Sequence, residues 1–183
     1  YDAANDIFEL SKNNQYARQV IDSWAQAEWF TNKKSLPKEI KCLVFKVKGE
    51  TNTDDLSPAV HATSRPDIPL HSLSMLEFKE ETGLNILEGL KSQNIQIAYV
   101  GDVVGTGSSR KSAINSLIWH IGENIPFVPN KKTGGIVIGG KIAPIFFNTA
   151  QDSGALPIEA DVSNLDTGDL IKIEPYKGLI KKI

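Results

Sequence analysis

Apolar positions along this 183-residue chain change period several times, and the changes predict helices alternating with strands. Between Asn14 and Phe30, the residues Tyr16, Val20, Ile21, Trp24, Ala25 and Trp29 recur near helical spacing, which predicts an amphipathic helix. A shorter helical stretch is expected around Ala3 to Ser11. The neighbouring tryptophans are expected to bury against the adjoining domain rather than to form a binding stripe. Asn32 to Pro37 reads as a linker. From Lys38 onward the pattern predicts a strand at about Ile40 to Lys48, a loop containing Asp54, a short helix around Leu73 to Lys79 and another from Leu84 to Ser92. A buried strand at Ile95 to Val100 leads to a helix at Ser109 to His120, where Ile114, Leu117, Ile118 and Ile121 share a face. Short apolar runs follow at Ile125 to Val128 and Gly135 to Ile138. A helix within Ile142 to Asp152 comes next, and strands near Leu156 to Glu159 and Leu170 to Ile173 close a compact mixed α/β domain. Tyr1 at the start, and Lys-Lys-Ile at the end with no obvious closing element, point to a piece of a longer chain.

The chemistry concentrates between the strand at Ile95 and the helix that follows it. There the chain reads Gly105-Thr106-Gly107-Ser108-Ser109-Arg110-Lys111-Ser112. Ser108 or Ser109 falls at the helix start, where free N–H groups and the helix dipole favour an anion. Two phosphate motifs fail at this turn. A P-loop puts a second glycine where Arg110 stands, ahead of Lys111-Ser112. The dinucleotide fingerprint needs a small third glycine for close helix packing, and Arg110 occupies that place too. An arginine there suits a fork that grips a carboxylate at two points.

A second polar segment lies upstream, Gly49-Glu50-Thr51-Asn52-Thr53-Asp54-Asp55-Leu56-Ser57-Pro58-Ala59, followed by Ser64-Arg65-Pro66-Asp67-Ile68-Pro69. Thr53-Asp54-Asp55-Leu56-Ser57 resembles the Thr-Asp-x-Ile-Ser element of the aconitase superfamily's mobile swivel domain, and Gly107-Ser108-Ser109-Arg110 resembles that domain's Gly-Ser-Ser-Arg. Longer phrases are similar to the bacterial B branch of the superfamily. These are Tyr99 to Ala113, Ser64 to His71 and Gly139 to Thr149, and the likeness runs from about Trp24 to the end of the chain.

The resemblance implies a fold and a site. The fold class is α/β, a swivelling β/β/α barrel-like domain over residues 38–183. It is preceded by a short α-helical segment and linker, residues 1–37, as the end of a helical N-terminal domain. The implied activity is the reversible isomerisation of citrate to isocitrate through cis-aconitate, a step of the tricarboxylic acid cycle, with 2-methyl-cis-aconitate hydration left open. Ser108 is implied as the base, and Arg65, Ser108, Ser109 and Arg110 as ligands of the substrate carboxylates. Asp54 is implied as a supporting acid that orients the basic groups, whereas Asp55 is expected to be a solvated loop residue. Lys111 stands where other branches carry Glu, and its role is open. The alternatives are a small subunit of an isopropylmalate- or homoaconitate-type isomerase, and a non-catalytic module binding RNA or a protein partner.

Composition narrows the partners. With 40% hydrophobic and 23% charged residues and a formal charge of −2, the chain is ordinary for a globular protein. It carries no basic stripe interleaved with aromatics that would support RNA binding. No apolar run is long enough for a membrane span, and a cytoplasmic setting is expected. Cys42 is the single cysteine and lies in an apolar strand, which predicts a small buried hydrophobe. The 4Fe-4S cluster of the aconitase type needs three thiolates, so it is expected to be ligated outside this chain, in cluster-bearing domains of the same enzyme. His61, His71 and His120 are scattered, and no metal ligand is expected here.

Overall fold

The structure, a computed structural model, describes residues 6, 9, 10, 12–32, 35–80 and 82–183. Most of the short helix expected around Ala3 to Ser11 lies outside them, as does the middle of the linker. The amphipathic helix forms as α1, Gln15–Gln26, with a one-turn continuation α2, Glu28–Thr31. It starts where Asn14 Oδ1 accepts from the N–H groups of Tyr16 (3.0 Å) and Ala17 (3.2 Å), and it stops at Ala27 in the left-handed region. Burial does not follow for Trp24, which is 58% exposed, and the Trp29 side chain lies outside what the structure describes. The helix is held to the domain by its other residues. Tyr16 meets Phe127 edge-on at 6.0 Å, and the Ser23 hydroxyl donates to the Pro126 carbonyl (3.3 Å).

The domain is built on a six-stranded sheet of β1 (Ile40–Asn52), β2 (Ile97–Thr106), β5 (Ile136–Ile142), β6 (Leu156–Glu159), β7 (Leu170–Glu174) and β8 (Leu179–Lys182), in the order β6-β5-β2-β1-β7-β8. Glu123–Ile125 and Val128–Thr133 form a separate hairpin, β3 and β4. Strands β1, β2, β5 and β6 run parallel, while β7 and β8 are antiparallel to their neighbours. Parallel strands need crossovers, and the helices supply them. α3 (Thr53–Leu56), α4 (Ile68–His71) and α5 (Gly83–Lys91) link β1 to β2, α6 (Arg110–Ile121) and the hairpin link β2 to β5, and α7 (Pro144–Asp152) links β5 to β6.

Because side chains alternate across a strand, apolar residues at successive positions cover both faces of the sheet. Leu43, Phe45, Val47, Ile97, Tyr99 and Val137 join one core cluster with Leu87, Ile114, Leu117 and Phe146 of the crossover helices. Cys42, Val44, Ala98, Val100, Ile136 and Ile138 join a second with Ile171, Ile173, Val162 and Leu165. Among the described residues no helix joins that second cluster. It is closed by the 160–169 segment, tied down where Lys46 Nζ donates to the Val162 carbonyl (2.8 Å) and the Lys46 N–H to Thr167 Oγ1 (2.9 Å). The mixed α/β class expected from the sequence is therefore the one found. Two local expectations are corrected. Residues 73–79 make turns after a single 3-10 turn (Ser72–Ser74), because Leu76 takes a left-handed φ of 66° and donates its N–H to the Asp55 carbonyl (2.7 Å). At the C-terminal end, Leu179–Lys182 pairs with β7 as an edge strand that the sequence pattern did not predict.

Candidate active site

β1 and β2 are parallel neighbours, so their carboxyl ends emerge on one edge, with Asn52 in register with Thr106. The two polar segments of the sequence run through those two residues. After Asn52 the chain turns into α3, held by a capping box. Asn52 Oδ1 accepts from the N–H groups of Asp54 and Asp55 (both 2.8 Å), and Asp55 Oδ2 accepts from the Asn52 N–H (2.8 Å). Asp55 is thus a helix cap rather than a solvated loop residue, and the Asn-x-x-Asp spacing was the signal for it. Asp54 is exposed, and its Oδ1 accepts from the Ala59 N–H (2.7 Å), closing the turn through Ser57 and Pro58.

After Thr106 the chain passes through Gly107, Ser108 and Ser109 into α6. Gly107 has φ 99°, and a Cβ there would lie 2.5 Å from Thr53 Oγ1, so only glycine lets this turn approach α3 so closely. Gly105, at φ 82°, is pressed against the buried Phe146 of α7. Ser109 is the N-cap of α6, and its side chain makes no capping bond. Ser108 and Ser109 are both exposed, and the Ser108 carbonyl accepts the Arg110 N–H (2.9 Å). Arg110 is half-buried at the first helical position and Lys111 is exposed.

Arg65 is half-buried in the crossover between the 3-10 turn Ala59–His61 and α4. Its N–H donates to the His61 carbonyl (2.9 Å), and its carbonyl accepts from His71 Nδ1 (3.1 Å). Asp67 Oδ1 caps α4 through the Leu70 N–H (2.9 Å). Both α3 and α4 pack on α6. A further bond joins the same parts, from His120 Nε2 of α6 to the Ser72 carbonyl (2.9 Å). The structure brings the turn that carries Asp54 against the one that leads to Ser108-Ser109-Arg110, with Thr53 packed on Gly107. Arg65 is tied to the same frame through His71, Ser72 and His120, none of which the sequence singled out for a role.

Among the described residues, neither Arg65 nor Arg110 is paired with a carboxylate. At the start of the twelve-residue helix α6, two exposed hydroxyls, the N-terminal N–H groups and the Arg110 guanidinium make a set of donors suited to an anion. A metal cluster is poorly suited to it. The described residues contain no group of three or more His, Cys, Asp or Glu side chains able to hold a metal. Cys42 lies fully buried between strands, and that burial pushes its thiol up to about 12.

Comparison with known sequences supplies the family. The sequence matches the family model of the aconitate hydratase 2 N-terminus over residues 42–183, and that of the aconitate B N-terminal domain over residues 1–30. The chain belongs to the aconitate hydratase family that these describe. It is 66% identical over 180 residues to aconitate hydratase B of a Synechocystis species, covering 98% of this chain and 21% of that protein. To aconitate hydratase B of Escherichia coli it is 55% identical over 192 residues, 99% of this chain and 22% of that protein. A 3-isopropylmalate dehydratase small subunit from Clostridium beijerinckii is 27% identical over 150 residues, 79% of this chain and 80% of that one. The chain thus spans about a fifth of the length of the aconitate hydratases it matches.

Proposed function

We propose that residues 38–183 are the swivel domain of an aconitate hydratase, a hydro-lyase interconverting citrate and isocitrate through cis-aconitate, and that residues 1–37 connect it to a helical domain. The observation that supports this reading is the meeting of the Asn52 and Thr106 strand ends, where Thr53 packs on Gly107. In this reading Arg65 and Arg110 grip substrate carboxylates in forked contacts, and Ser109 donates to a carboxylate oxygen. Ser108 removes the proton from the carbon next to a carboxylate. A serine alkoxide is otherwise a poor base, and the α6 N–H groups, the Arg110 charge and exclusion of water on domain closure would stabilise it. Asp54 supports the turn that carries these groups. The 4Fe-4S cluster of the full enzyme is ligated elsewhere, since one buried thiol cannot supply three ligands. A cytoplasmic setting belongs to the same reading, and 2-methyl-cis-aconitate hydration is a candidate second activity. Among the described residues no helix is long and apolar enough to cross a membrane.

The decisive experiment is Ser108→Ala in the full-length enzyme, for which turnover of citrate should fall on the order of 10²- to 10⁴-fold while citrate still binds. Unchanged turnover would remove Ser108 as the base. Arg65→Lys and Arg110→Lys should each lose roughly 2–5 kcal/mol in kcat/KM, since a point charge does not replace a fork in a desolvated site. A second reading has one observation in its favour, the 80% coverage of an isopropylmalate dehydratase small subunit. The match of residues 1–30 to the aconitate B N-terminal domain favours the first. Turnover of 3-isopropylmalate but not citrate, with a cluster-bearing partner, would reverse that preference.

A further inference from the structure

Two histidines outside the proposed chemistry form a buried chain between the arginine segment and helix α6. His71 ends α4, is 8% exposed, and places Nδ1 3.1 Å from the Arg65 carbonyl oxygen. A carbonyl can only accept, so Nδ1 carries the hydrogen. His120 sits in the last turn of α6, is also 8% exposed, and places Nε2 2.9 Å from the Ser72 carbonyl oxygen. Here the hydrogen is on Nε2. The two rings are therefore opposite tautomers, each donating to one backbone carbonyl.

His71 Nε2 is buried without a hydrogen-bond partner, so the bond from Nδ1 is the ring's one polar tie. Burial, helped by Lys91 and Lys132, holds the His120 ring below its ordinary range against the opposing Ser72 carbonyl and Glu88. The connection between the rings is short. The residue after His71 is Ser72, whose carbonyl His120 holds, and the Ser74 hydroxyl donates to the His71 carbonyl (2.6 Å). The peptide of Arg65 is thereby fixed to α4, and α4 to the C-terminal turn of α6. The other end of α6, about 15 Å away at 1.5 Å per residue, carries Ser109 and Arg110.

We infer that His71 and His120 are positioning residues that reference Arg65 to the same helix that carries the Ser-Ser-Arg turn. The inference rests on the reading of Arg65 as a carboxylate clamp. Its substrate contact is a fork, and a fork held from its backbone loses alignment if the segment shifts.

The test uses amide substitutions in the full-length enzyme. The Asn amide nitrogen falls near the Nδ1 position of a histidine, and the Gln amide nitrogen near Nε2. His71→Asn and His120→Gln should keep their donors and retain the wild-type citrate KM and calorimetric citrate Kd. His71→Gln and His120→Asn should lose them and raise both about tenfold, the equivalent of one misplaced hydrogen bond. Against an Arg65→Lys background, His71→Gln should add almost nothing to KM, because it acts through Arg65. A purely structural role would instead add fully and ignore the donor position. If Arg65→Lys itself left KM and turnover unchanged, the clamp reading would fall. If Arg65→Lys were costly while His71→Asn and His71→Gln behaved alike, or while the double variant were additive, the clamp would stand and the positioning role would fall. Should His71→Gln and His120→Asn not fold, the donor-keeping variants still decide: a tenfold rise in KM for folded His71→Asn or His120→Gln overturns the inference.

Discussion

Replacing Gly107 by alanine perturbs the contact on which the candidate site depends, and its cost can be worked from two separate causes. The first is backbone strain. At φ 99° the residue lies beyond the left-handed well near 57°, where an L side chain costs about 1–3 kcal/mol. The second is overlap, because the new Cβ would stand 2.5 Å from Thr53 Oγ1. Thr53 is buried at the start of α3, and the capping box around Asn52 and Asp55 holds that turn, so relief requires shifting packed groups at about 1–3 kcal/mol. The sum is about 2–6 kcal/mol, comparable to the whole stability of a small domain. The two causes separate in a double-mutant cycle. Thr53→Ala removes Oγ1 and leaves Cβ at 3.7 Å, an ordinary contact, so it should recover the overlap part but none of the strain. Urea unfolding of the wild type, the two single variants and Gly107→Ala/Thr53→Ala should give a coupling of about 1–3 kcal/mol in favour of the pair. Strict additivity, or Gly107→Ala within 0.5 kcal/mol of wild type, would mean that the two loops are not in contact as described.

Two further outcomes concern buried titratable groups. The His120 pKa is held down by burial, then by Lys91 and Lys132, with the Ser72 carbonyl and Glu88 opposing. The unfolded chain therefore takes the proton first: the stability from the neutral ring is complete above about pH 6.5 and is lost as pH falls below it, at up to about 1.4 kcal/mol per pH unit. His120→Gln should remove that share of the acid-side slope in urea midpoints measured from pH 7.5 to 5, and an unchanged slope would refute the assignment. Cys42 is fully buried with its thiol pushed up to about 12, so a thiol reagent at pH 8 should label it only in urea. Rapid labelling of the native chain would show that the second core cluster opens far more readily than its packing implies.

Elements whose signal is local were legible in the sequence. The apolar runs of β1, β2 and β5 are buried on both faces and read as continuous, and α6 reads by its Ile114, Leu117, Ile118, Ile121 stripe. The failures are places where a distant partner decided the outcome. Leu73 to Lys79 has the composition of a helix, yet the Leu76 N–H finds the Asp55 carbonyl and the chain bends to bury Leu76. β8 carries Lys181 and Lys182 and is only four residues long, the charge and brevity of an edge strand, and it exists because β7 offers a free edge. Trp24 satisfies the helical period but stays exposed, while Tyr16 and Ser23 engage the hairpin.

The same distinction orders the candidate site. Asn52 and Asp55 cap each other's backbone within one turn, so their spacing was readable. The meeting of the Thr53 and Gly107 segments, fifty-odd residues apart, follows once β1 and β2 are parallel neighbours, because crevices in such sheets lie at the carboxyl ends of the strands. Arg65 obeys neither rule. It belongs to the crossover between β1 and β2, six residues before the histidine that holds it, and no strand end fixes its place. A charged fork in a crossover needs side-chain ties to be held in register with a helix start, and ties of that kind have no period and no motif. That is why His71 and His120 looked like scattered residues in the sequence and stand as the link between the two halves of the site in the fold.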